Sequence, residues 1–406
     1  MSRPFKGIRI LDFTRVISGP FATQLLATLG ADVIKIEKPG TGDEARHFCC
    51  NPDLLAHGMA SGFLSVNAGK RSVTLNLKSA EVRDLVRTMA RSADVVVENF
   101  RPGVMDRLGL GYDDLKAVKP DIVYCAISGF GQTGPASGVA GYDGAVQALS
   151  GMMSITGHPQ CGPTRVGAPV IDMCSGYVAA LAIASALFRR ACTGQGQFID
   201  VAMLDVNLST MRSAIAWWQA GGDPVLRGNQ AWTRIPTSDS FHASDGQFML
   251  TVNNDEQLRI LLRTVQREDA LDDPRFKDWP SRIENGLALR AILEERFATD
   301  TAHNWEQRLT DAGLAVAGIR TLPEAMEHPQ LPYRNLLLKM DGAKGVDGPI
   351  TLLNTPFMCM EDGPAIDRPP PGLGEHTAEV LAEFGVSATE NPLSRHESKK
   401  KPARAV

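Results

Sequence analysis

The feature that most constrains this chain is the alternation of short apolar runs with amphipathic ones through its first ~130 residues. Ile8 to Phe13 reads as a strand. Pro20 to Leu29 reads as a helix, opened by Gly19-Pro20 and stopped by Gly30. Asp32 to Ile36, Val73 to Leu77, Val95 to Glu98 and Ile122 to Ile127 read as further strands, and Ala80 to Arg91 as a helix. Strands that alternate with helices through short connections predict an α/β fold: a doubly wound, Rossmann-like parallel sheet.

Such sheets take ligands beyond the carboxyl ends of their strands. Those ends carry Arg15-Val16, Glu37-Lys38, Glu98-Asn99-Phe100 and Ser128-Gly129-Phe130, with Lys70-Arg71 and Arg107 nearby. These are phosphate-capable side chains beside helix amino termini. A solvated charged rim would look the same. No Gly-x-Gly-x-x-Gly follows the first strand, which argues against a dinucleotide and for a nucleotide-like anion held by side chains.

Beyond about residue 205 the pattern changes. Strand-like Ser240 to Ala243 and Gln247 to Val252 flank the turn Ser244-Asp245-Gly246. Helical runs follow at Glu256 to Val265, Gly286 to Ala298 and Ala302 to Ala312. The expected organisation is a discontinuous large domain of residues 1–205 and 330–390 and a smaller α+β domain of residues 225–328. Residues 206–224 form a linker and residues 391–406 a disordered basic tail.

Charge and cysteine usage narrow the class. A formal net charge of −4 offers no basic face for nucleic acid. No signal peptide is expected, and the longest apolar stretch, Tyr177 to Phe188, is too short to span a bilayer. The seven cysteines form no Cys-x-x-Cys pair and no zinc spacing, so reduced thiols in a cytoplasmic protein without a metal site are expected. Cys174 lacks a sequence-local base and reads as packing.

Asp172 closes the apolar run Ala168 to Ile171 and precedes an almost wholly apolar helical stretch. A lone carboxylate between a buried strand and a buried helix is costly unless something uses it. Asp is also among the best helix N-caps, so capping competes with catalysis there.

Several blocks occur in order along residues 5–385. They are Leu11 to Val16 with Ser18-Gly19-Pro20; Gly30 to Pro39; Asn67 to Lys78; Glu98 to Gly103; Ser128 to Pro135; Gly141-Tyr142-Asp143; Gly194 to Val201; and Pro371 to His376. Together they resemble the family III CoA-transferases, the group of formyl-CoA transferase and the carnitine CoA-transferase. The resemblance implies Asp172 as a nucleophile that carries an anhydride and then a CoA thioester. It implies Val16, Lys38, Asn99, Phe100 and Arg107 as CoA contacts and Asn67, Lys70 and Arg71 along the adenosine phosphates. Tyr142 would lie near the nucleophile, and Met203 would line the CoA site or the core. CoA and acyl-CoA enter as substrates, with no tightly bound cofactor; the partners are small carboxylates, and the assembly is an interlocked homodimer. Succinyl-CoA is a plausible donor, and Arg15 or Arg46 is suited to a second carboxylate.

Two departures from formyl-CoA transferase weigh against its substrate pair. Arg15-Val16-Ile17 stands where that enzyme has His-Val-Gln, and Leu250 to Asp255 replaces its run of glycines. The alternative is an acyl-CoA racemase or isomerase acting by α-proton abstraction. Gly141-Tyr142-Asp143 lacks the histidine of those relatives, and tyrosine is a poor base near neutral pH.

Overall fold

The computed structural model describes residues 3–48, 51–231 and 233–386. Cys49, Cys50 and the basic tail lie outside the described residues.

The alternation is realised as six parallel strands. These are β1 (Arg9–Asp12), β2 (Asp32–Glu37), β3 (Arg71–Thr74), β4 (Val95–Glu98), β5 (Val123–Ser128) and β6 (Gln197–Ala202). Their spatial order, β3-β2-β1-β4-β5-β6, is that of a doubly wound sheet. β6 escapes the sequence pattern because it is the edge strand, and Gln197 to Asp200 alternate between half-buried and exposed.

Successive residues in the inner strands face opposite cores, which is why they read as unbroken apolar runs. Leu11, Ile34 and Val96 face one core, closed by the helices Ala80–Ala90, Tyr112–Val118 and, from the far end of the chain, Thr377–Glu383. Ile10, Val33, Val95 and Val97 face the other, closed by Ser18–Thr28 and Val170–Thr193. These last two helices pack closely: a Cβ on Gly176 would lie 2.7 Å from the Phe21 ring and 2.9 Å from the Ser18 carbonyl oxygen.

The apolar stretch Tyr177 to Phe188 belongs to a longer element than its sequence suggests. Its helix, Val170–Thr193, has 24 residues and is long and apolar enough by length and composition to cross a bilayer. One flank lies in the core, through Ala179, Ile183 and Ala186.

The chain separates into two compact units: residues 1–150, 167–210 and 329–406 in one, and residues 151–166 and 211–328 in the other. The stretch expected as a linker is largely helical. Met203–Thr210 belongs to the first unit and Arg212–Gln219 to the second. The second unit has an antiparallel sheet of β7 (Ser238–His242), β8 (Gln247–Thr251) and β9 (Ala315–Gly318), with a core that includes Phe241, Phe248, Phe297 and Trp305. In the first unit, β10 (Leu337–Met340) and β11 (Ile350–Leu353) form a separate hairpin.

Candidate active site at the switch point of the sheet

The strand order reverses between β1 and β4, and there a doubly wound sheet opens a crevice at its carboxyl edge. The segments leaving these strands are Phe13 to Val16 and Asn99 to Pro102. Asn99 joins them, because its side chain accepts from the Arg15 N–H at 2.8 Å and donates to the Arg15 carbonyl at 2.8 Å. The next residue, Val16, has φ +68°, a left-handed conformation that a β-branched side chain strongly disfavours. Such strain persists only where the surroundings over-determine it. Here Asp43 Oδ1 accepts from the Val16 N–H at 3.0 Å.

Asp43 is itself held by buried charge. Its carboxylate lies 2.9 Å from Lys35 Nζ, and both side chains are fully buried. Burial works against ionised Asp43, but Lys35 and the N–H groups of Val16 and Ala45 outweigh it and keep the carboxyl below its usual range. Lys35 also donates to the Thr14 carbonyl at 2.8 Å. Beneath it, Asp12 accepts from Lys70 at 3.0 Å, from Thr23 at 2.7 Å and from the Thr14 N–H at 2.9 Å. Two buried acids and two buried ammonium groups thus brace the turn that carries Arg15 and Val16.

Around this turn lie two cavities. The smaller, about 190 Å³, is lined by Arg15, Val16, Asn99, Phe100, Tyr142 and Asp172, among others. Asp172 is half-buried in the first turn of the helix Val170–Thr193. No strand precedes it: the helix begins at Val170, so Asp172 lies inside the helix and not at a strand-to-helix junction. Capping falls to another residue: Asp143 Oδ2 accepts from the Ile171 N–H at 2.8 Å and the Asp172 N–H at 3.4 Å. Gln147 fixes the other Asp143 oxygen at 2.7 Å. The helix dipole favours a carboxylate at the position of Asp172. One side of the cavity is main chain at close quarters, since a Cβ on Gly129 would lie 2.6 Å from Gly141 Cα. Met203 lines the same cavity while 4% exposed, so the core and cavity roles coincide. Burial, then Asp143, pushes the Cys174 thiol up, which disfavours the nucleophilic thiolate.

The larger cavity, about 760 Å³, is lined by apolar Leu75, Leu77 and Val104 and by Lys38, Lys78 and Arg107. Phe100 and Arg15 belong to both cavities.

The structure therefore brings together Val16, Asn99, Phe100, Tyr142 and Asp172 in one cavity and Lys38 and Arg107 in its neighbour. Asn67, Lys70 and Arg71 reach neither. Lys70 is fully buried on Asp12, Asn67 and the Pro20 carbonyl. Asn67 donates to the Phe63 carbonyl. Arg71 opens β3 at the amino edge of the sheet, opposite the ligand edge, and pairs with Asp32, Glu379 and Glu383. Arg46 is 1% exposed and bonded to both Glu37 oxygens at 2.6 and 2.7 Å, so it is committed to the fold. Asp43, Asp143 and Lys78 were not singled out from the sequence. Lys78 and Asp143 do stand in the blocks Asn67 to Lys78 and Gly141-Tyr142-Asp143, whereas Asp43 carries no sequence signal.

The comparisons agree with this architecture. The model for CoA-transferase family III matches residues 5–377. The chain is 38% identical to the acetyl-CoA:oxalate CoA-transferase of Acetobacter aceti, over 94% of this chain and 96% of that protein. It is 34% identical to the mouse succinyl-CoA:glutarate CoA-transferase, over 94% of this chain and 86% of that protein. A solved CAIB/BAIF family protein from Brucella suis superposes with a TM-score of 0.83 at 34% identity, covering 95% of this chain and 100% of that one. The chain belongs to CoA-transferase family III and is a CoA-transferase.

Proposed function

We propose that this enzyme moves CoA from an acyl-CoA donor to a small carboxylic acid through covalent intermediates on Asp172. One observation carries the reading: a half-buried carboxylate on the first turn of a capped helix, in a small cavity beside a larger one lined by Lys38, Lys78 and Arg107. An Asp172 oxygen attacks the thioester carbonyl; the C–S bond breaks, giving a mixed anhydride and CoA thiolate. The thiolate attacks the aspartyl carbonyl and expels the donor acid, leaving an aspartyl-CoA thioester. The acceptor carboxylate attacks that thioester, and the returning thiolate takes the acceptor acyl group, which restores Asp172. No net proton transfer is required. Each exchange replaces one hard step with easier ones, provided water is excluded.

In this reading Lys38 and Arg107 hold CoA phosphates from the larger cavity, and Val16, Asn99, Phe100 and Tyr142 border the reacting thioester. CoA comes and goes as a substrate, and no resident cofactor takes part. Relatives named for succinyl-CoA with glutarate or mesaconate support succinyl-CoA as donor. Tyr142 at the cavity wall supplies no ready base for α-proton abstraction, so the racemase alternative is not favoured.

The proposal extends to a cytoplasmic, interlocked homodimer. Tyr177, Leu181 and Phe188, on the helix that carries Asp172, are 44%, 68% and 73% exposed, the kind of apolar flank that a second copy covers. Light scattering in solution measures the assembly; a monomer at working concentration contradicts it. For the chemistry, acyl-CoA followed by hydroxylamine should convert Asp172 to a hydroxamate detectable by peptide mass. Label at another residue, or none during turnover, sinks the covalent mechanism.

A further inference from the structure

We infer that Arg15 makes this enzyme selective for dicarboxylates: its guanidinium binds the distal carboxylate of an acid whose proximal carboxylate meets Asp172. The inference rests on the transferase reading and adds the substrate class and the residue that sets it.

Arg15 is held through its main chain. Asn99 bonds both its N–H and its carbonyl, and Val16 is pinned left-handed by Asp43. The main chain of Arg15 is therefore fixed at the mouth of the Asp172 cavity. Its side chain is much less committed. It is 44% exposed, its guanidinium carbon lies 4.6 Å from the Phe100 ring centroid, and its ion pair to Glu44 is a single contact of 3.5 Å. Glu44 is 56% exposed. A long contact between two exposed groups is a weak pair.

The contrast with Arg46 sets the scale. Arg46 grips Glu37 with two short bonds and two further carbonyls, out of solvent. Arg15 is stacked on an aromatic face and offers a planar fork to the cavity, so an entering carboxylate that accepts two parallel bonds outcompetes Glu44. Glu44 lines the same cavity and disfavours an anion that fails to engage Arg15. Phe100 holds the guanidinium plane without consuming a donor. The small cavity favours a short diacid. Arg101 also lines the cavity and is the competing cation.

The test uses acetyl-CoA as donor, which has no distal carboxylate, and matched acceptors: succinate against butyrate, glutarate against valerate. Arg15→Gln should lower the dicarboxylate-to-monocarboxylate ratio of kcat/KM about 10–100-fold, the worth of a charged bidentate contact. The loss should fall on the dicarboxylate KM, and Arg15→Lys should restore part of it. Glu44→Gln, which removes the competitor, should improve the dicarboxylate KM about 2–5-fold. Equal loss for both acid classes in Arg15→Gln, weaker dicarboxylate binding in Glu44→Gln, or collapse of the ratio in Arg101→Gln instead would overturn the inference. A wild type that forms the Asp172 hydroxamate but prefers monocarboxylates overturns the role of Arg15 and leaves the transferase mechanism standing. A wild type that transfers CoA to no acid in the panel overturns both.

Discussion

The two cavities at the carboxyl edge of the sheet share Arg15, Glu44 and Phe100 and otherwise draw on different residues. The smaller is walled by loop main chain and a helix end, with one carboxylate in the first helical turn. The larger is built from strand ends and a short helix, with an apolar floor and cations at its edge. The first suits bond making in a confined space; the second suits a long ligand that is gripped and released. One fold supplies both because the chain leaves the paired strands β1 and β4 toward opposite faces of the sheet at the switch point.

This contrast can be broken one cavity at a time. Asp172→Ala should lower kcat about 10⁴-fold or more while acyl-CoA still binds, as checked by single-turnover kinetics and calorimetry. Loss of binding along with turnover would mean that the cavities are not separable. Asp43→Ala strands Lys35 as a buried charge and should cost about 3–5 kcal/mol of stability in urea titration. Asp43→Asn keeps the acceptor for the Val16 N–H and should retain more affinity for acyl-CoA than its stability predicts.

Glu98, just before Asn99, offers a pH probe. Burial, joined by Asp106 and Asp200 and opposed by the Phe100 N–H, pushes its carboxyl up to about 8. Its folded pKa lies above its unfolded value of about 4.3, so the native state favours the protonated form. The resulting stabilisation is full below that unfolded value and is lost as pH rises through 8. Glu98→Gln should remove this dependence and gain on the order of a few kcal/mol relative to wild type by pH 9, read from melting curves across pH. Parallel pH profiles for the two proteins would refute the assignment. The smallest effect is expected at the larger cavity: Arg107→Ala should raise the KM for acyl-CoA about 10-fold with kcat nearly unchanged. An unchanged KM removes Arg107 from the grip.

Much of this candidate site is legible in the sequence, because the groups that line it sit at element ends that the sequence marks. Asp172 follows an apolar run, and Asn99 and Phe100 follow a strand of valines. What escaped depends on distant partners. Lys70 resembles a phosphate ligand until Asp12, 58 residues away, draws it inward. Arg71 begins its strand rather than ending it, and strand direction decides which edge a cation serves. Asp143 caps a helix that starts 27 residues later in the chain, and no local pattern announces such a cap. The small unit borrows residues 151–166 from the middle of the large unit's sequence, and the glycines and prolines there, Gly157 to Pro169, mark irregular chain without saying which unit it joins.

Gly129 and Gly141 pass so closely that each leaves no room for a Cβ on the other. That part of the smaller cavity is peptide backbone, and changing one glycine cannot be offset by changing the other. The cavity can therefore be altered one side chain at a time at lining positions such as Arg15, Glu44 or Tyr142, while the glycine pair stays out of reach of gradual divergence. A family built on such a base can broaden its acids by editing the doorway while the chamber behind it keeps its shape.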